Sequence, residues 1–204
     1  MHKHNTLKVA ITGGIASGKS EAINYFQKKG NKVIDLDQIS HNLTDKDPDI
    51  IQMISKLFGK EVIDDKGRVD RAKLGNIVFN NRTKLHELEK ILHPVIRESM
   101  INQIKSCEDK IIFIEFQLLN KKDILCFFDH VILITSSKKK QTERIKNSRR
   151  KSEKYISDII HNQSSNYDRR KLLENSSFDE IENNSSLSDF YYKLENVYSK
   201  LINF

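Results

Sequence analysis

Residues 13–20 read Gly-Gly-Ile-Ala-Ser-Gly-Lys-Ser, the pattern G-x-x-x-x-G-K-[ST] of a phosphate-binding loop. Such a loop constrains the fold on both sides. It needs a buried strand ahead and a helix behind, so that backbone N–H groups and the helix N-terminus close into a nest for phosphate oxygens. Both neighbours are present. Leu7, Val9, Ala10 and Ile11 give the apolar run of a strand over 7–12, and Ala22, Ile23 and Phe26 recur at helical spacing in a helix over 20–29. Gly30 stands where a helix end favours glycine. In a loop of this kind Lys19 reaches the β- and γ-phosphates of a nucleotide, and the Ser20 hydroxyl sits on a magnesium ion.

The rest of the chain alternates strands with helices, which argues for a parallel sheet covered on both faces. Val33 to Asp35 is a short second strand; 111–116 and 130–135 are near-continuous apolar runs, as buried parallel strands are; 178–182 is a fifth. Between the second and third strands the pattern is helical. Asp47 caps and Pro48 opens a helix with Ile50, Ile51, Ile54, Leu57 and Phe58 on one face, and Gly59 ends it. Asp64 to Gly67 is a turn, and Asp70 caps a helix with Leu74, Ile77, Val78 and Phe79 inward. His93-Pro94 opens a further helix running to about Cys107. That is more helix than one crossover needs, so 44–106 reads as an inserted helical subdomain. A return helix is expected over 155–163 and a closing helix over 189–203, through Phe190, Leu194, Val197, Leu201 and Ile202. The expected architecture is one α/β domain over 1–204, a three-layer P-loop NTPase fold with a five-stranded parallel sheet and the helical insert.

The net charge of +7 is local. Residues 138–151 hold eight basic side chains against Glu143 alone, and the other 27 basic and 27 acidic residues cancel. A nucleic-acid surface would spread its charge, whereas a cationic arm closing over polyphosphate concentrates it. The arm, a lid over 138–165, offers Arg144, Arg149 and Arg150 for neutralising a transferring phosphoryl group. No apolar run approaches a membrane span. The chain opens without a signal-peptide pattern, so Cys107 and Cys126 are expected as reduced thiols in a cytoplasmic protein.

Asp35 and Asp37 end the second strand, and ligands of open parallel sheets sit outside the carboxyl ends of strands. Two acids there read as a base for an acceptor hydroxyl or a magnesium ligand, with helix capping as the alternative for Asp35. Two shorter patterns point elsewhere: 120–123 fits N-K-x-D and 64–67 fits D-x-x-G, both found in GTPases. The second lacks the sheet strand that such a motif should end.

With these residues placed, the chain resembles the dephospho-CoA kinases, which phosphorylate the ribose 3′-hydroxyl of dephospho-CoA in the last step of CoA synthesis. Residues 12–20 are similar to the family's T-G-G-I-G-S-G-K-S, 33–37 to V-I-D-A-D, 67–74 to G-x-L-D-R-x-x-L, 91–97 to L-L-H-P-x-I-R and 179–183 to D-x-I-D-N. The resemblance implies ATP and Mg2+ on Gly13, Gly14, Ile15, Ala16, Ser17, Gly18, Lys19 and Ser20, with Glu21, Arg149 and Asn183 also at the nucleotide, Asn183 in the loop near adenine. It implies catalysis by Asp37 as base with Lys19 and Arg144. Thr12, Asp37, His93, Arg97, Leu118 and Leu119 would meet the small-molecule substrate, the insert would be the CoA-binding domain, and the enzyme would be a monomer without nucleic-acid or membrane partners. Ala16 replaces a loop glycine, which suits a position with φ below zero. Glu21 stands in place of Thr, Gln117 in place of Pro, and Ser148 in place of a lid arginine, with Arg149 one position later.

Overall fold

The computed structural model describes residues 6–79, 81–116, 125–149 and 166–203. The expected return helix over 155–163 lies outside them, as do Leu118, Leu119, Arg150 and the N-K-x-D pattern. The described chain forms two compact units, Met1–Ile34 with Cys107–Phe204, and Asp35–Ser106.

The first unit is built on the sheet. Its strands are β1 (Leu7–Gly13), β2 (Lys32–Asp35), β3 (Ile111–Glu115), β4 (His130–Thr135) and β5 (Phe178–Glu182), in the order β2-β3-β1-β4-β5. The pairings of β1 with β3 and β4, and of β4 with β5, are parallel. β1 is central, and Val9, Ala10 and Ile11 are fully buried, as a strand covered on both faces must be. On one face, α1 (Lys19–Lys28) and the closing helix pack Ala22, Ile23, Phe26, Phe190, Leu194 and Val197 against Val9, Ile11, Phe113 and Ile132. The rings of Phe26 and Phe113 stack at 3.9 Å between centroids. Gly30 ends α1 as expected: at φ 85° it donates to Gln27 O while Asn31 donates to Phe26 O, so two last-turn carbonyls are satisfied.

The second unit holds α2 (Leu36–Lys46), α3 (Pro48–Phe58), α4 (Arg71–Phe79) and α5 (Arg82–Lys105). It begins at Asp35 and not at the expected 44, because α2 shares the packing of α3 and α5. Its core joins Ile50, Ile54, Phe58, Val62, Leu74 and Val78, with Leu43, Leu88 and Leu92 against them. Leu57, expected inward, is 44% exposed. Side-chain caps set the helix starts: Asp35 accepts from Gln38 N, Asp47 from Asp49 N and Ile50 N, Asp70 from Ala72 N and Lys73 N, and Asn81 from Lys84 N. The Asn81 cap corrects one expectation. His93-Pro94 does not open a helix; Pro94 lies inside α5. Its missing N–H deprives the Lys90 carbonyl of a partner, but both residues are exposed, so water can compensate.

Among the described residues the first unit has three further helices: α6 (Lys138–Arg149), α7 (Asn166–Leu173) and α8 (Leu187–Leu201). The sequence pattern did not foresee α7. α8 starts two residues earlier than expected because Ser186 caps it, accepting from Asp189 N, and Ile202 falls beyond its end, 49% exposed. No helix among the described residues is long and apolar enough to cross a membrane.

At the amino end of β4, His130 is buried, with Nδ1 2.8 Å from Ser177 Oγ and Nε2 3.1 Å from Asp179 Oδ2; Lys200 reaches the other Asp179 oxygen at 3.1 Å. Burial pulls the His130 pKa down and outweighs the pull of Asp179 upward. A depressed histidine binds fewer protons folded than unfolded, so its contribution is present above the ordinary histidine pKa and lost as pH falls through the folded one. The unfolding midpoint should therefore drop as pH is lowered below about 6.5. His130→Asn should flatten that part of the profile, read by thermal unfolding at a series of pH values.

Candidate functional site

The carboxyl end of β1 runs through residues 13–18 into α1. Gly13 pairs with Ile134 of β4, and a Cβ at Gly13 would sit 2.2 Å from the Ile134 carbonyl and 2.8 Å from Ser17 Oγ. No side chain fits between those strands. Gly13→Ala should cost about 1–3 kcal/mol by overpacking, measured as a shift in the denaturant midpoint with the slope unchanged. The N-cap of α1, Gly18, has no side chain with which to occupy the first-turn amides, so the positive end of the helix is presented to the loop.

The loop's carbonyls are held from outside. Lys19 Nζ donates to the Gly13 and Gly14 carbonyls, each at 3.2 Å. Arg144 of α6 donates through Nη1 to the carbonyls of Ala16 at 3.1 Å and Ser17 at 3.2 Å, and to Ser136 Oγ at 3.3 Å. Its Nη2 donates to Asn183 O at 2.9 Å and Asn183 Oδ1 at 3.0 Å. Partial burial pulls the Arg144 pKa down, yet a guanidinium remains charged at neutral pH. Beside Arg144, the side chain of Ile145 is buried against Ile15 and Ala16, which joins α6 to the loop by apolar contact as well.

Ala16 has φ 53°, so the condition under which alanine would replace glycine freely is not met. The left-handed conformation costs a non-glycine residue about 1–2 kcal/mol, and packing on Ile145 helps hold it there. Ser17 is 1% exposed, and its Oγ is a buried oxygen without a hydrogen-bond partner among the described residues.

The other expected site residues divide between the loop, the sheet and the helical unit. Ser20 is exposed on the first turn of α1. Glu21, also in that turn, accepts from the Tyr191 hydroxyl of α8, which pushes the Tyr191 pKa up. Thr12 is fully buried on β1, a position from which it presents no surface to a ligand. Asn183 is 7% exposed, and its side chain is engaged by Arg144 and the Ser17 carbonyl. Arg149 is the last residue of α6, and its side chain lies outside the described residues. In the helical unit, Asp35 caps α2 and Asp37 is exposed in its first turn; His93 and Arg97 lie one turn apart on α5. The 64–67 pattern is a hairpin turn between the bridged residues Ile63 and Val69. Asp64 there is spent on Arg68, through two side-chain bonds and one backbone bond, and on Lys66 N; these hold its pKa at about 2. It ends no sheet strand, so the GTPase likeness has no structural support there.

Ser136 and Asn184 were missed by the sequence reading. Ser136 Oγ donates to Asn183 O at 3.0 Å, and Asn184 Oδ1 accepts from Ser137 N at 2.7 Å. Their signal is positional: both lie just beyond the carboxyl ends of strands, where open α/β sheets build their sites.

A central parallel strand that enters a helix through a glycine-rich turn, with lysine and arginine on the turn's carbonyls, defines a P-loop protein of the small-kinase class. Residues 7–189 match the dephospho-CoA kinase family, and the chain belongs to it. A dephospho-CoA kinase from Fusobacterium nucleatum is 35% identical over 187 residues, covering 92% of this chain and 94% of that protein. Among solved structures, TT1252 from Thermus thermophilus superposes with a TM-score of 0.82 at 25% identity, covering 97% of this chain and 98% of that one. The dephospho-CoA kinase from Campylobacter jejuni has a TM-score of 0.69 at 27% identity, covering 95% and 96%.

Proposed function

We propose that this chain transfers the γ-phosphoryl group of ATP to the ribose 3′-hydroxyl of dephospho-CoA, giving CoA and ADP. The observation that carries the reading is the phosphate loop at the end of β1, in a chain matching the family over residues 7–189. The phosphates of ATP would lie along residues 13–20. A magnesium ion held between Ser20 and the β- and γ-phosphates would neutralise charge on the transferring group. The donors fit that role. Ser20 offers a hard oxygen at the surface, and among the described residues no three His, Cys, Asp or Glu side chains gather to hold a metal on their own.

The chain's own residues do the rest. Asp37 takes the ribose proton as the 3′-oxygen bonds to the γ-phosphorus and the bond to ADP breaks. Lys19 moves onto the β- and γ-phosphates, with Arg149 of the basic segment adding charge. His93 and Arg97, on one face of α5, would hold the acceptor. The enzyme is read as a cytoplasmic monomer acting on a small molecule and not on nucleic acid.

The test is ADP release from ATP and magnesium with and without dephospho-CoA. A kinase releases ADP in proportion to acceptor consumed. A nucleotide switch releases ADP or GDP without an acceptor, and that result would refute the proposal.

A further inference from the structure

We propose that Asn183 is a positioning residue of the phosphate loop: it fastens the Ser17 carbonyl from behind, and so aims the Gly18 amide at polyphosphate, instead of reading the nucleotide base. The inference rests on the reading of residues 13–20 as the triphosphate site, and is independent of the acceptor.

Four observations carry it. First, both ends of the Asn183 side chain are spent inside the protein. Nδ2 donates to Ser17 O at 2.8 Å, and Oδ1 accepts from Arg144 Nη2 at 3.0 Å. One N–H and one oxygen lone pair of the amide remain, but at 7% exposure the residue offers little surface to a base edge. Second, the residue is anchored by its backbone as well. Its N–H donates to Thr135 O at 2.8 Å, and its carbonyl accepts from Arg144 Nη2 at 2.9 Å and Ser136 Oγ at 3.0 Å. Asn183 therefore transmits the position of the β4 and β5 ends to the loop.

Third, Gly18 is shaped around it. A Cβ at Gly18 would lie 2.2 Å from Asn183 Nδ2, and Gly18 has φ 114°, a conformation that favours glycine. Fourth, no cis peptide bond occurs among the described residues, so the peptide between Ser17 and Gly18 is trans. In a trans peptide the C=O and N–H point in opposite directions. Holding the Ser17 carbonyl toward Asn183 turns the Gly18 N–H the other way, at the positive end of α1. Arg144 backs the same carbonyl at 3.2 Å but adds a charge, so the two residues are separable by substitution.

The test uses the full chain and three probes: inorganic tripolyphosphate, which has no base, ATP and GTP. Their affinities are measured by calorimetry for the wild type, Asn183→Ala and Asn183→Asp, each below its own unfolding midpoint. Asn183→Ala should lose about tenfold for tripolyphosphate and for ATP alike, the size expected for one lost bond to a buried loop carbonyl. The ATP to GTP ratio should stay at the wild-type value. Unchanged tripolyphosphate affinity, or a collapse of the ATP to GTP ratio, would overturn the inference in favour of base reading. Asn183→Asp is isosteric and keeps an acceptor for Arg144, but it replaces the donor to Ser17 with a charged oxygen, which repels both the Ser17 carbonyl and a bound polyphosphate. It should lose at least as much as Asn183→Ala, and wild-type tripolyphosphate affinity in this variant overturns the inference even if the alanine variant does not fold. A wild-type chain that binds tripolyphosphate without making CoA would refute the kinase reading and leave this comparison standing.

Discussion

Lys19→Ala should abolish turnover while leaving the chain folded. Lys19 is the first residue of α1, and its Nζ already bridges the Gly13 and Gly14 carbonyls at 3.2 Å, at the mouth of the loop. On the proposed reading, a short rotation about its flexible stem would carry the ammonium onto phosphate oxygens, where a partly desolvated cation is worth far more than in water. Removing a preorganised charge of this kind costs roughly 10²-fold or more in rate, or about 3–4 kcal/mol of transition-state stabilisation. The stability side is small. Two side-chain bonds to carbonyls are lost, each worth about 1 kcal/mol net, and the packing of Ala22, Ile23 and Phe26 beneath is untouched. Steady-state kinetics beside thermal unfolding checks both halves. A variant with near-normal kcat means the loop does not carry the phosphates.

Asp37→Asn should lower kcat by about two orders of magnitude, within the roughly 10²–10⁴-fold a positioned general base contributes. A loose phosphoryl-transfer transition state puts the effect near the lower bound. Asp37 lies two residues beyond β2 and is exposed in the first turn of α2, whereas Asp35 accepts from Gln38 N at 2.9 Å as that helix's cap. Asp35 is the structural acid, and Asp37 is the one proposed as the base. The cap also decides which control to use. Asparagine caps as well as aspartate, so Asp35→Asn should be nearly neutral for stability, while Asp35→Ala should cost about 1 kcal/mol. ATP affinity should shift little in all three variants. Turnover near wild type in Asp37→Asn, or a larger rate loss in Asp35→Asn, would reassign the base.

The sheet was legible because its signals are local and redundant. β1, β3 and β4 are buried on both faces and read as continuous apolar runs, and the phosphate loop requires a helix directly after β1. Helix caps were legible where the capping residue stands beside a strong partner signal, as with Asp47-Pro48. Pro94 misled because proline marks a helix start only when nothing upstream nucleates the helix; here Asn81 does. Leu57 and Ile202 misled because periodicity tells which residues share a face, but the width of the buried stripe depends on what packs against it. The left-handed Ala16 and the engagement of Asn183 were not legible at all. Both are set by residues far along the chain, Ile145, Arg144 and Ser17, which only the fold brings together.

The most direct test of the assignment is the product itself. The chain is incubated with ATP, magnesium and dephospho-CoA, with Lys19→Ala and Asp37→Asn alongside. The acceptor is tracked by mass, and the new phosphate is located by phosphorus–proton correlation. The expected result is a gain of one phosphoryl group at the ribose 3′-oxygen, matched by ADP and nearly absent with either variant. An unmodified acceptor with active, folded protein, or a phosphate at another oxygen, would contradict the assignment.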